Sequence, residues 1–389
     1  MRFRVQTLNA ISPKGLERMP ADRYELGDTI GRPDAILVRS ADMHGLEIPA
    51  SVLAVGRAGA GTNNIPVPLL TQRGVPVFNA PGANANAVKE LVLAGLFLGA
   101  RHIGPALDFV RTLDLAGEAL DAAVEGAKKR FVGHELPGRT LGVIGLGAIG
   151  VEVANAAHLL GMHVLGYDPQ ITVQRAWQLS SGVEQALSLD DLFARSHAVT
   201  VHVPLSENTR GLISAKRLAL MPEGGTVLNF ARAGIADEPA VIAALRAGRL
   251  GAYVCDFPSA GTRGVAGVVA LPHLGASTSE AEENCAMMVS DTVRDFLEHG
   301  NIRHSVNFPE AALPRVPATS RIAIANSNVP NMVGQISTRL AEAGLNIADL
   351  LNKSRGEVAY TLIDIDGRVP AGLIGRIASI QGVLSVRAV

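Results

Sequence analysis

Three groups of residues in this chain of 389 have the types and spacing that hydride transfer on a small hydroxy acid would use. The first is Gly145-Leu146-Gly147-Ala148-Ile149-Gly150, a G-x-G-x-x-G turn that breaks the apolar run Thr140 to Ile144. Asp168 ends the next apolar run, His163 to Tyr167. Gly145 suits the tight turn, Gly147 lets the backbone approach a pyrophosphate, and Gly150 lets helix and strand pack closely. The helix that follows, over 151–160, offers free N–H groups and a partial positive charge to the phosphates, and Ala148 and Ile149 within the turn are read as cofactor-binding with the three glycines. The Asp168 carboxylate accepts hydrogen bonds from both ribose hydroxyls and repels a 2′-phosphate, which favours NAD over NADP.

The second group is His273 in Leu271-Pro272-His273-Leu274-Gly275-Ala276-Ser277-Thr278, placed to shuttle a hydroxyl proton. The third is Arg232 in Leu228-Asn229-Phe230-Ala231-Arg232-Ala233-Gly234, whose guanidinium fork matches a carboxylate. Each follows an apolar strand at the carboxyl edge where open α/β sheets bind ligands. His202, at another strand end, suits the adenine side better than acid–base work. Arg39-Ser40 and Arg57 to Thr62 end two earlier strands, and Asn84 and Asn86 open a helix. Together they would collect the anionic groups of a phosphorylated acid.

Composition removes other classes. A formal net charge of −1 offers no electrostatic reason to expect nucleic acid or an anionic membrane as a partner. Cys255 and Cys285 form no CxxC pair, no HExxH is present, and no metal is expected. Walker, G-x-S-x-G and EF-hand patterns are also missing. The amino terminus lacks a signal-peptide core, and the run Leu91 to Ala100 is too short to span a bilayer. A soluble, cytoplasmic protein is expected.

The elements that must position these residues read as α/β. Strands are predicted at 3–7, 35–38, 52–55 and 75–78, with a helix over 85–101. From Thr140 a second α/β unit follows, with a helix over 151–160 and further strands at 198–203, 225–230, 251–255 and 268–271. Its other helices are predicted over 189–195, 215–221 and 238–247, before a long one over 280–298. The fold class is two doubly wound, Rossmann-like parallel-sheet domains with a cleft between them, plus a ferredoxin-like βαββαβ unit. Residues 1–95 and 282–308 form the expected substrate domain and 96–281 the NAD domain. Residues 309–317, with three prolines, read as a linker, and 318–389 as the small regulatory unit.

On the stretches 55–64, 79–88, 145–150, 229–232 and 272–278, the sequence resembles the D-isomer-specific 2-hydroxyacid dehydrogenases. The resemblance covers essentially the whole chain, and the tail is similar to an ACT domain. It implies NAD-dependent oxidation of D-3-phosphoglycerate to 3-phosphohydroxypyruvate, the first step of phosphorylated L-serine biosynthesis. Arg232 would be the substrate-binding and catalytic arginine and His273 the acid–base histidine. Arg39, Ser40, Arg57, Gly59, Asn84 and Asn86 would lie on the substrate side. His202, Val203, Pro204, Ala231 and Asp256 would line the cofactor, Asp256 near the nicotinamide amide. Asn326, Asn328 and Asn346 would hold a serine effector, and a homo-dimer or homo-tetramer is implied. Members normally carry an acid shortly after the Asp256-Phe257-Pro258 segment to raise the histidine pKa. None occurs between Asp256 and His273 here. Unreplaced, the imidazolium loses its partner, its pKa falls, and keto-acid reduction suffers first. Glu280, Glu282 and Glu283 are the candidate substitutes. Two other readings stay open: a dehydrogenase for glycerate, glyoxylate or hydroxypyruvate, and a non-catalytic sensor of NAD and an amino acid.

Overall fold

The structure, a computed structural model, describes residues 2–316 and 318–389. Met1 and Pro317, the last residue of the expected linker, lie outside the described residues. The chain divides into two compact units, one of residues up to Ala83 with Glu282–Val389, the other Asn84–Ala281.

The first unit opens on a parallel sheet of β1 (Phe3–Leu8), β2 (Tyr24–Gly27), β3 (Ala35–Val38), β4 (Ala54–Arg57) and β5 (Val77–Phe78) in the order β2-β1-β3-β4-β5. All four residues of β3 are buried, the pattern of a strand covered on both faces. β2 is absent from the sequence-based assignment. Its four residues carry a glutamate and a terminal glycine, too short and too mixed for an apolar run.

In the second unit β6 (Thr140–Ile144), β7 (His163–Tyr167), β8 (Val183–Gln185), β9 (Ala198–Val201), β10 (Gly225–Asn229), β11 (Leu250–Cys255) and β12 (Val268–Ala270) make one sheet. Its order is β12-β11-β10-β9-β6-β7-β8 and every pairing is parallel. The chain leaves β6 in one direction and returns to its other side at β9, so the ligand-binding switch point lies between them. The helix Ala85–Ala100 belongs wholly to this unit. Val88, Val92, Leu96 and Ala100 share a core with Leu141, Val143, Ala154 and Leu228. Burying one such valine or leucine is worth ~1.5–3 kcal/mol, so the expected division after residue 95 would cut through a continuous packed face. Asn84 and Asn86, expected on the substrate domain, go with the helix into the second unit. Two helices unassigned from the sequence, Ile103–Arg111 and Gly117–Ala127, follow it, and the first buries no residue.

The C-terminal part has the predicted βαββαβ order: β13 (Thr319–Ser327), helix Met332–Glu342, β14 (Ile347–Arg355), β15 (Val358–Asp366), helix Leu373–Ala378 and β16 (Val383–Ala388). The antiparallel sheet runs β14-β15-β13-β16. Strand alternation sends Ile322 and Ile324 toward the two helices. Ala323 and Ala325, with Tyr360 and Leu362, face the other way and share a core with Val5, Leu37, Phe78 and Phe296. The sheet is therefore packed on both faces, the second against the rest of its unit. Residues 309–316 are a docked strap, with Ala311 and Leu313 buried.

Arg321 ties strap, sheet and long helix Ser279–His299 together. Its Nε and Nη2 donate to the two Asp364 carboxylate oxygens at 2.6 and 2.7 Å. The remaining donors reach the carbonyls of Leu313, Pro314 and His299 at 2.8, 3.0 and 3.1 Å. Both side chains of the ion pair are fully buried. Burial by itself would raise the Asp364 pKa, but the bonds from Arg321 and its charge outweigh this and hold the carboxyl below its ordinary range. Removing one partner of such a pair leaves a buried uncompensated charge, so Arg321→Met should cost ~3–5 kcal/mol of stability in urea unfolding. Arg321→Met/Asp364→Leu should recover most of that loss. Because the folded carboxyl is depressed, its contribution is complete above the ordinary carboxylate range and fades as pH falls through the folded value. Wild type and the double variant should therefore converge in stability on acidification.

Candidate active site

The second unit lines up the carboxyl ends of six strands. Tyr167 pairs with Ile144, Ile144 with Val201, Val201 with Asn229, Asn229 with Cys255, and Cys255 with Ala270. The residues that leave this row are Asp168, Gly145, His202, Phe230, Asp256 and Leu271, with Arg232 and His273 two residues beyond the last of their strands' exits. One sheet edge thus carries every group in this unit singled out by its sequence, apart from Asn84 and Asn86.

The three glycines differ in what demands them. Gly145 has φ +87°, and a Cβ there would stand 2.6 Å from the His202 carbonyl oxygen. A Cβ on Gly150 would lie 1.8 Å from the Gly145 carbonyl oxygen. Gly147 is the N-cap of the helix Ala148–Leu159, and a Cβ there would meet nothing within 4 Å. The protein's own packing does not ask for glycine at 147; a ligand lying on the helix N-terminus would. Asp168 stands beside the turn. Its Oδ2 accepts from Leu146 N and its Oδ1 from Gln170 N, both at 2.8 Å, which leaves lone pairs on each oxygen.

His202 hydrogen-bonds Thr200 Oγ1 through Nε2 at 3.0 Å. Burial pushes its pKa down to about 3, so the ring is neutral near pH 7. Val203 and Pro204 continue outward from it. Arg232 is exposed and donates to the Ala231 carbonyl at 2.7 Å. Its turn is clamped by buried Asn229, whose Nδ2 donates to Arg232 O at 3.0 Å and whose Oδ1 accepts from Ala231 N at 3.2 Å.

His273 adopts φ +58°, a left-handed conformation uncommon for a residue with a Cβ. Asp256 holds it there. The buried carboxylate accepts from the next two amides, Leu274 N and Gly275 N, each at 2.7 Å. Asp256 was expected to face the nicotinamide amide; in the structure both its oxygens are turned to this loop. The ring of His273 lies 4.9 Å from that of Phe257 at a tilt of 54°. Among the described residues no side chain hydrogen-bonds to the imidazole. Two of the three candidate substitute acids are engaged elsewhere: Glu282 pairs with Arg39 and Glu283 with Lys14. Glu280 accepts from Ser279 Oγ at 3.1 Å. The neighbour of His273 is therefore an aromatic face. Nothing in the sequence singled out Phe257, whereas Asn229, polar at the end of an apolar run, was visible.

In the first unit Val38 pairs with Arg57, so Arg39 and Arg57 share the carboxyl edge of β3 and β4. Arg57 Nε donates to Arg39 O at 3.1 Å. The guanidinium lies over Gly59, where a Cβ would stand 1.6 Å from Nη1. Ser40 Oγ accepts from Asn9 Nδ2 at 2.9 Å. Asn84 occupies the N-cap of its helix without a side-chain capping bond. Asn86 donates to Glu90 Oε1 at 2.8 Å and accepts from Lys89. No group of three or more metal-ligating side chains is found among the described residues.

Residues 103–275 match the NAD binding domain of the D-isomer specific 2-hydroxyacid dehydrogenases. The chain is 30% identical over 353 residues to the D-3-phosphoglycerate dehydrogenase of Haemophilus influenzae, covering 88% of this chain and 82% of that protein. The chain belongs to this family. It is also 35% identical over 320 residues to the D-3-phosphoglycerate dehydrogenase of Archaeoglobus fulgidus, across 78% of its own length. That match spans only 58% of the longer archaeal protein. Among solved structures, the apo D-mandelate dehydrogenase of Rhodotorula graminis resembles it with a TM-score of 0.68 at 25% identity, over 81% of this chain and all of that one.

In this 2-hydroxyacid dehydrogenase the glycine turn fits NAD: open space at Gly147, a helix N-terminus beneath it, and a carboxylate at Asp168. Gly147→Ala should leave the melting temperature unchanged yet weaken NAD binding ~10-fold, since its methyl group enters only the space a pyrophosphate would take. Gly150→Ala should instead lower stability by more than about 2 kcal/mol, because the turn itself must open. NAD titration and thermal melting of both variants check this; a Gly147→Ala protein that binds NAD normally contradicts the placement.

Proposed function

We propose that the chain oxidises D-3-phosphoglycerate to 3-phosphohydroxypyruvate with NAD, the opening step of phosphorylated serine synthesis. The observation that carries this is the sheet edge on which the dinucleotide turn, Arg232 and the clamped His273 stand together. The names of the two relatives quoted above support the choice of substrate.

In this reading His273 takes the C2 hydroxyl proton, and Arg232 holds the carboxylate and the C2 oxygen. The chemistry supplied by bound NAD is acceptance of the C2 hydride. Gly145, Gly147, Ala148, Ile149 and Gly150 hold its pyrophosphate and Asp168 its adenosine ribose. Neutral His202, with Val203, Pro204 and Ala231, gives it an uncharged wall. Asp256 acts on the reaction through the backbone of His273. Arg39, Arg57 and the backbone at Gly59 take the phosphate charge, with Ser40, Asn84 and Asn86 as polar partners. Glu282 orients Arg39 in that task.

The C-terminal unit is read as an ACT domain with serine as its effector. Within one copy Asn326 pairs with Ala359 at one end of the sheet, while Asn346 lies beside Asp366 at the other. Asn328 stays at the first end, bonded to Gly356 O. A serine site drawing on all three therefore requires two copies of the unit. The exposed apolar residues Leu107, Val110 and Val124 of the second unit support a homo-oligomer as well. No single helix among the described residues is long and apolar enough to cross a membrane.

His273→Ala should cut turnover ~1000-fold, the size of general acid–base catalysis, with NAD affinity almost intact. Steady-state rates with D-3-phosphoglycerate, D-glycerate and NADP as the alternative cofactor test the whole reading. Preference for D-glycerate overturns the phosphate assignment. Turnover unaffected by millimolar serine overturns the effector.

A further inference from the structure

The first unit contains a cavity of about 220 Å³ between its parallel sheet and its C-terminal sheet. Arg73, Gly74, Phe296, Tyr360, Ser385 and Arg387 supply its polar and aromatic lining, and no aspartate or glutamate lines it. Arg387 lies over the Phe296 ring, 4.6 Å from its centre. It donates through Nη1 to Leu297 O at 3.1 Å and through Nη2 to Phe296 O. Arg73 donates to the carbonyls of Ile48 and Pro49 at 2.9 and 2.7 Å.

These bonds are to neutral acceptors. Neither guanidinium forms an ion pair with a carboxylate among the described residues. A guanidinium has five N–H donors, and carbonyl capping uses two on each arginine. Burial holds Arg387 below its ordinary pKa and outweighs the opposing charges of Tyr360 and Asp34, neither of which forms an ion pair with it. Two arginines facing a void that no acid lines, with room for about seven waters at ~30 Å³ each, form a receptor for negative charge. Tyr360 and Ser385 keep the floor fixed through bonds to Gly300 O at 2.7 Å and Gly74 O at 3.0 Å.

We propose that this cavity binds a small oxyanion, a phosphate or a carboxylate carried on no more than about four carbons, between Arg73 and Arg387. The site is separate from Arg57, Arg232 and His273, and from the three asparagines of the C-terminal unit. It stands whether or not the substrate assignment holds, because its test measures no turnover.

Oxyanions would also be drawn to Arg57 and Arg232, so the titration uses the full chain carrying Arg57→Gln/Arg232→Gln. Inorganic phosphate and malonate are added separately, at constant ionic strength against chloride, and followed by melting temperature and calorimetry. A saturable rise with either probe is expected. Phosphate alone assigns the site to phosphorylated ligands, malonate alone to carboxylates, and either supports the proposal. Adding Arg73→Gln should weaken binding at least ~10-fold, the loss of one charge-assisted contact. Ser385→Asp places a carboxylate inside the cavity; it should raise the melting temperature without ligand and abolish the response. Absence of any response in the starting protein, or an equal response in all three proteins, overturns the site.

Discussion

The ligand-facing edge of the second unit's sheet depends on how one buried carboxylate satisfies two backbone amides. At the carboxyl edge of a parallel sheet the chain must turn away, and its N–H groups lose their ladder partners. Asp256 takes two of them, Leu274 and Gly275, and so fixes the left-handed geometry of His273. Asn229 performs the same service for Arg232 one strand along. Side chains at the strand ends thus set the loops by backbone bonds, and the exposed Arg232 and His273 are aimed chiefly through their main chain. The imidazole is left with the Phe257 face as its neighbour. Its orientation comes from the main chain and an apolar wall.

The helix Ser279–His299 joins the arginines of β3 and β4 in the first unit to its C-terminal sheet. Glu282 and Glu283 in its opening turns engage Arg39 and Lys14. Its closing turn gives carbonyls to Arg321 and Arg387. Free carbonyls at a helix C-terminus attract cations, and both cations come from the C-terminal sheet. The helix is therefore gripped by cations at both ends, through its own carboxylates beside the arginines of β3 and β4 and through its backbone carbonyls beneath the β13 and β16 strands.

Most of this was legible in the sequence for physical reasons that can be named. Glycine spacing, an acid at a strand end and apolar runs of fixed period mark the second sheet and the βαββαβ tail. The unit boundary near residue 84 was not legible, because beyond Glu90 the helix Ala85–Ala100 is apolar all round and its pattern does not say which sheet it covers. Asn84 and Asn86 moved with it. β2 escaped notice through its length, and the Ile103–Arg111 helix because it buries no residue that would mark a core-facing stripe. The partner of His273 was sought among acids, where a charge would be expected; an aromatic ring leaves no mark in a charge pattern. Asp256 was visible as a residue but not as a clamp, since its role rests on amides eighteen and nineteen residues away.

The C-terminal sheet keeps one interior for itself and shares the other. Ile322, Ile324 and Ile363 belong to its own helices, while Ala323, Tyr360 and Leu362 belong to a core that also holds Val5 and Leu37. A module of this kind is portable in outline and dependent in substance: it has a complete topology but only half of its walls. Taking it away would uncover the apolar face it shares with Val5, Leu37, Phe78 and Phe296, so the remaining part of the first unit could stay well behaved in water only if polar side chains replaced that face.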